Sequence, residues 1–218
     1  MKKILISLSG GLDSATLLGQ LKKEDYQVQA ISFDYGAKHN QYESKAAQNL
    51  ADYYNINLQK IDITSLFKNF KSDLLLNGEE IPEGHYQSKN MESTVVPARN
   101  MIFLSIMTGL AISKNIDAIA IAIHAGDHFI YPDCRPSFIA SIDQTIMWAS
   151  DEKVYLIAPF TNLTKTQIVS KAIELQVPLQ LTRTCYKDQE LSCGKCGSCN
   201  ERLEAFANNG INDLVVYE

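Results

Sequence analysis

No apolar run in this chain approaches the ~20 residues needed to cross a bilayer, so a transmembrane helix is not expected. Basic residues are not in excess: 20 Lys and Arg stand against 25 Asp and Glu, for a net charge of −5. That balance argues against a broad nucleic-acid-binding surface. Proline and glycine are modest, at 6 and 11 in 218 residues, which excludes collagen-like and low-complexity chains. A secretion leader is also not expected. The opening MKKILISLSGG has two lysines but a short apolar run, and Asp13 follows with no cleavage site. The cytoplasm is therefore the expected compartment. Hydrophobic residues make up 45% and charged residues 21%, enough for a core that needs no disulfide or metal merely to fold.

What is present is an alternation of two periodicities. Short runs of β character occur at 3–7, 27–33, 57–63, 117–123 and 154–158. Helical spacing occurs at 14–22, 41–54, 100–114, 136–150, 164–175 and 199–207. Thr164 followed by Gln167 is a capping-box start. Trp148 is expected in the core. Residues 77–93 are polar, contain Gly and Pro, and read as a long functional loop. Strand–helix alternation predicts a doubly wound parallel sheet with helices on both faces. The expected division is a body of residues 1–180 and a C-terminal segment of 181–218 packed on it.

The turn after the first strand reads Ser9-Gly10-Gly11-Leu12-Asp13-Ser14. Paired glycines permit a tight turn that exposes N–H groups, and the following helix presents its positive end. Together they suit a phosphate. Ser9 and Ser14 add hydroxyls, and Asp13 can hold Mg²⁺ through an oxygen. An ordinary strand-to-helix turn is the competing reading. Four of five cysteines lie within fifteen residues, as Cys185, Cys193, Cys196 and Cys199. Their C-x₇-C-x₂-C-x₂-C spacing fits a closed tetrahedral Zn²⁺ site. An iron–sulfur cluster, redox disulfides and a nucleic-acid-binding zinc module remain as alternatives. Lys187, Lys195, Arg183 and Arg202 are placed to offset thiolate charge.

SGGLDS resembles the pyrophosphate loop of the N-type ATP pyrophosphatases. Residues 181–206 (LTRTCYKDQELSCGKCGSCNERLEAF) resemble the end of the 7-cyano-7-deazaguanine synthase family. FDYGAKH at 33–39, VPARNMIFL at 96–104, YPDCRPSF at 131–138 and PFTNLTK at 159–165 match in order. The resemblance thus spans nearly the whole chain. The family usually has Gly where Ala98 stands, and an aromatic near Arg183.

The resemblance implies an adenine-nucleotide-hydrolase-like α/β fold with one structural Zn²⁺ on the four cysteines. It implies conversion of 7-carboxy-7-deazaguanine and ammonia to the nitrile through adenylated acid and amide, with ATP and Mg²⁺. It also implies a homodimer with small-molecule substrates and no stable nucleic-acid or membrane partner. A paralogue stopping at the amide, or coupling the acid to another amine, would share these motifs. Residues expected at the nucleotide are Leu8, Ser9, Gly10, Gly11, Leu12, Asp13, Ser14, Ala15, Phe33, Lys38, Arg99, Asn100 and Lys165. A cation in a first helical turn, as at Lys165, is disfavoured unless an anion binds there. Asp13, Ser14, Arg99, Lys165 and His39 are the catalytic candidates, with His124 and His128 as further proton carriers. Asp133 and Arg135 are the candidates for substrate contact, while Cys134 is expected to pack.

Overall fold

The computed structural model describes residues 2–218. Five parallel strands form one sheet: β1 (Lys3–Ser7), β2 (Gln27–Asp34), β3 (Leu58–Asp62), β4 (Ala118–Ala120) and β5 (Tyr155–Ile157). Their spatial order is β3-β2-β1-β4-β5. The chain therefore reverses direction of travel at β1, which pairs with β2 on one side and β4 on the other. In such sheets the crevice at that reversal, beyond the carboxyl ends of the strands, is where ligands bind.

The connections are α1 (Leu12–Lys23), α2 (Asn40–Tyr53), α3 (Thr64–Phe67), α4 (Arg99–Lys114), α5 (Pro136–Ala149) and α6 (Lys165–Glu174). A last helix, α7 (Gly197–Asn208), follows the cysteines. The strand period of two divides the interior. Ile4 and Ile6 of β1 join Leu17, Leu18, Leu50, Ile168 and Phe206 on one face. Leu5 joins Ile31, Phe103, Leu104, Met107 and Ile119 on the other. Ala205 and Phe206 share the first cluster with β1, so the C-terminal helix is part of the main core.

The sequence periodicities locate every strand and the longer helices, with shifts of a few residues at the ends. The largest is at β4, which pairs over only Ala118–Ala120 where seven residues were expected. Trp148 contradicts expectation: it is 79% exposed, near the end of α5. Only Ile142 and Ile146 of α5 are fully buried, and Trp148 falls on the opposite side of its apolar stripe. Among the described residues, the helical stretch 89–114 is long and apolar enough to cross a membrane by composition alone. It is not one rod. A 3₁₀ turn ends at Thr94, and α4 starts only after Ala98, whose φ of 51° is left-handed. Phe103, Leu104 and Met107 then bury against the sheet.

Candidate active site

One cavity lies over the carboxyl ends of β1, β2 and β4 and has two chemically different ends. At the first end, β1 runs into the turn that starts α1. Gly10 has a φ of 90°, and a Cβ there would sit 2.6 Å from the backbone of both Ala47 and Glu43. Glycine is therefore required for the turn to lie against α2. The turn is tied down by the Arg183 N–H, which donates to the Gly10 carbonyl at 2.8 Å. The Gly11 N–H donates to Ser9 Oγ at 3.2 Å, and Ser14 Oγ lies 3.1 Å from Ser9 Oγ. No side chain caps α1. Gly11, Leu12, Asp13 and Ser14 line the cavity, so the helix start is open to an anion.

Beside this turn is a buried charge cluster. Lys165, the first residue of α6, donates from Nζ to Asp13 Oδ2 at 2.6 Å and lies 3.5 Å from Glu201. Burial disfavours the Lys165 charge, but Asp13, Glu201 and Asp127 outweigh it and hold the ammonium well above its ordinary range. Burial likewise opposes ionisation of Asp13, and Lys165 and His124 reverse the balance to lower its pKa. Glu201 goes the other way: burial raises it more than Lys165 lowers it. His124 Nδ1 accepts from the Gly126 N–H at 3.0 Å. That bond leaves Nε2 as the N–H, directed at Asp127, Asp13 and Glu201 at 3.4 to 3.8 Å. Asp13 Oδ1 is buried with no hydrogen-bond partner. A hard cation would satisfy that oxygen, so Asp13 could take part in holding Mg²⁺.

The second end is aromatic and encloses another acid. Phe33 stacks on Phe103 with centroids 4.2 Å apart. Arg99 donates to Tyr35 Oη at 3.2 Å, and His39 packs on Tyr186 with centroids at 5.3 Å. His39 Nε2 is 3.5 Å from Glu43, one turn along α2. Burial, helped by Arg99, lowers the His39 pKa to about 4, so the imidazole is neutral. Burial raises Glu43 to about 7, against the opposing pull of Arg99 and Arg183.

The four Sγ atoms of Cys185, Cys193, Cys196 and Cys199 all lie within 4.8 Å of one another, and all four residues are buried. The Lys187 and Cys193 N–H groups donate to Cys185 Sγ, and those of Lys195 and Cys196 donate to Cys193 Sγ. Four buried sulfur atoms converging this closely could hold a metal ion. The charge offset comes from backbone N–H groups more than from the expected side chains. Arg202 instead pairs with Asp213 at 2.6 and 2.9 Å, and Lys187 pairs with Glu83.

The family described as "Queuosine biosynthesis protein QueC" matches residues 3–210. The chain belongs to the QueC family. It is 44% identical to "7-cyano-7-deazaguanine synthase 2" of Colwellia psychrerythraea, over all of this chain and 99% of that one. It is 43% identical to the 7-cyano-7-deazaguanine synthase of Hahella chejuensis, over 96% of this chain and 90% of that one. Among solved structures, NMN synthetase from Francisella tularensis shares the fold at a TM-score of 0.51 and 14% identity. That match covers 96% of this chain and 77% of the synthetase. A predicted tRNA methyltransferase subunit from Methanocaldococcus jannaschii matches at 0.53 and 15%, over 80% and 76%. What these two structures share with the QueC chain is the fold.

Of the residues expected from sequence in this QueC chain, Ser9, Gly11, Leu12, Asp13, Ser14, Phe33, His39, Arg99, Asn100 and Lys165 line the cavity. Leu8, Gly10 and Ala15 shape the turn from behind and do not line it. Three expectations are corrected. Lys38 points away from the phosphate end, and its Nζ donates to the carbonyls of Gly78 and Glu79. Asp133 caps α4 by accepting from the Asn100 N–H at 2.8 Å. Arg135 is exposed and donates to the His128 carbonyl at 3.0 Å, so neither Asp133 nor Arg135 reaches the cavity. Cys134 lines the cavity wall; Asn100 Nδ2 lies 3.2 Å from its Sγ, and burial holds the thiol well above its ordinary pKa. Glu43, Tyr35, Asp127, Tyr186 and Glu201 were not anticipated. The spacing of His39 and Glu43 at i and i+4 was the one local signal for the first of these.

Proposed function

We propose that the chain converts 7-carboxy-7-deazaguanine and ammonia to 7-cyano-7-deazaguanine, using ATP. The observation that carries this reading is full-length identity of 38–44% to relatives named for that product. The cavity supports it, because an open anion turn and a flat aromatic end share one space. In this reading residues 1–180 form the nucleotide-binding body and 181–218 the segment that closes the cavity.

The chemistry follows from leaving groups. A carboxylate oxygen attacks the α-phosphate, the bond to the β-phosphate breaks, and pyrophosphate leaves. Ammonia then adds to the acyl carbon and AMP departs, giving the amide. A second ATP activates the amide oxygen, and loss of AMP with two protons forms the nitrile. The uncapped start of α1, the Ser9 and Ser14 hydroxyls and the Lys165 ammonium stabilise charge on the departing phosphates. Asp13 and its unpartnered oxygen would hold Mg²⁺, which supplies charge neutralisation along the phosphates when bound. His124, with Nε2–H fixed toward three carboxylates, positions that cluster. Zinc is the proposed ion on the four cysteines, in a closed site with a structural role. The cytoplasm, where such thiols stay reduced, is the proposed compartment. A homodimer is proposed as well, supported by the exposed Trp148, Phe129 and Met101 side chains.

Purified protein with ATP, Mg²⁺, ammonium and 7-carboxy-7-deazaguanine should yield the nitrile, AMP and pyrophosphate by mass spectrometry. Accumulation of the amide, or no product from the acid, would refute the reading.

A further inference from the structure

We propose that Glu43 determines base specificity by accepting hydrogen bonds from two adjacent N–H donors on the substrate, a ring N–H and its neighbouring exocyclic amino group. This rests on the deazaguanine reading above and extends it to the edge of the base. Glu43 lines the cavity, its side chain is 19% exposed, and its carboxylate accepts no hydrogen bond within the protein. Arg99 and Arg183 both pull on its charge, but none of its neighbours donates a hydrogen bond to it. His39 is 3.5 Å away, but buried and neutral. The Arg99 guanidinium donates to Tyr35 Oη. Arg183 donates through both terminal nitrogens to the carbonyls of Glu190, Lys187 and Gln189.

A buried carboxylate with two free oxygens is costly unless a ligand brings donors to it. Tyr35, Phe33 and Tyr186 line that end of the cavity, which suits a planar ligand. The ligand must also present paired donors, because a carboxylate only accepts. The 2-amino-4-oxo pyrimidine edge of a guanine-type base has this pattern. The adenine edge has a ring lone pair where the carboxylate needs a donor, so ATP is directed away from Glu43. Burial raises the acid to about 7, and the two donors would favour its carboxylate form.

The test compares wild type with Glu43→Gln and Glu43→Ala. Binding is measured by calorimetry with a non-hydrolysable ATP analogue present. The ligands are 7-carboxy-7-deazaguanine and its analogue lacking the 2-amino group. Wild type should prefer the amino compound by about 100-fold or more, since a site built around a substrate N–H rejects the analogue lacking it. Both variants should lose most of that preference and keep ATP-analogue affinity within about twofold. Should Glu43→Ala fail to fold, the near-isosteric Glu43→Gln carries the comparison. Retained discrimination in the variants overturns the proposal. So does lost ATP affinity, or a fall in turnover with base binding unchanged, which would make Glu43 a proton carrier. Wild-type binding with no nitrile formed would sink the proposed function and leave the edge reading standing. Wild type binding neither ligand would sink both.

Discussion

Lys165 and Glu43 show two ways a buried charge is held in one cavity. Lys165 is compensated by Asp13 and Glu201. Replacing it by Met leaves two buried acids without their cation. Lys165→Met should cost about 3 kcal/mol in urea unfolding and at least ~100-fold in kcat/KM for ATP. Adding Asp13→Asn should recover stability but not activity. Glu43 has no such partner, and its pKa rises from 4.5 to about 7 on folding. The folded state therefore binds the proton more tightly, and stability falls as pH rises from about 4.5 through 7. Glu43→Gln should raise stability by about 1–3 kcal/mol at pH 8 and by almost nothing at pH 4, read from denaturant melts. The glycine turn and Lys165 were legible because a local rule pointed to each: paired glycines before a helix, and a cation misplaced in a first turn. Glu201 and Tyr186 were not. They reach the cavity only through the fold of a segment more than 170 residues from the turn they face.

At the scale of elements, periodicity located strands and helices but could not say which face each would bury. Trp148 sits on a helix whose apolar residues fall on more than one face, and only Ile142 and Ile146 of it are buried. The exposed tryptophan adds a structural reason for the homodimer that the family resemblance implies. Trp148→Glu should shift the proposed dimer to monomer in light scattering without lowering Tm. The start of α4 carries a different signal. Ala98 occupies a left-handed backbone position with φ of 51°, where a Cβ is penalised. The family's usual glycine there thus has a conformational reason. Ala98→Gly should stabilise the chain by about 0.5–1 kcal/mol, a rise in Tm of roughly 2–3 °C. A fall in Tm would mean the methyl group is needed for packing.

At the scale of the whole molecule, the four-cysteine cluster and the glycine turn are one construction, though the cysteines look in sequence like an appendage. The segment that supplies Cys185 also supplies the Arg183 N–H that holds Gly10, together with Thr184 and Tyr186 in the cavity wall. The helix that begins at the last two cysteines carries Ser198 and Glu201 into the same wall. Its far end is held without metal, by Phe206 in the core and by Arg202 bonded to Asp213, Thr182 and Thr184. Neither cluster that covers the sheet includes any of the four metal-site cysteines. Loss of the ion should therefore loosen the cavity wall before it loosens the sheet. A strong chelator, or Cys193→Ser, should weaken binding of an ATP analogue by at least ~10-fold, because Glu201 and the Arg183 anchor are no longer fixed. The far-UV circular dichroism should stay largely native under the same conditions. Full unfolding on metal loss would instead make the cysteines the foundation of the sheet. Unchanged nucleotide affinity would separate the metal from the site.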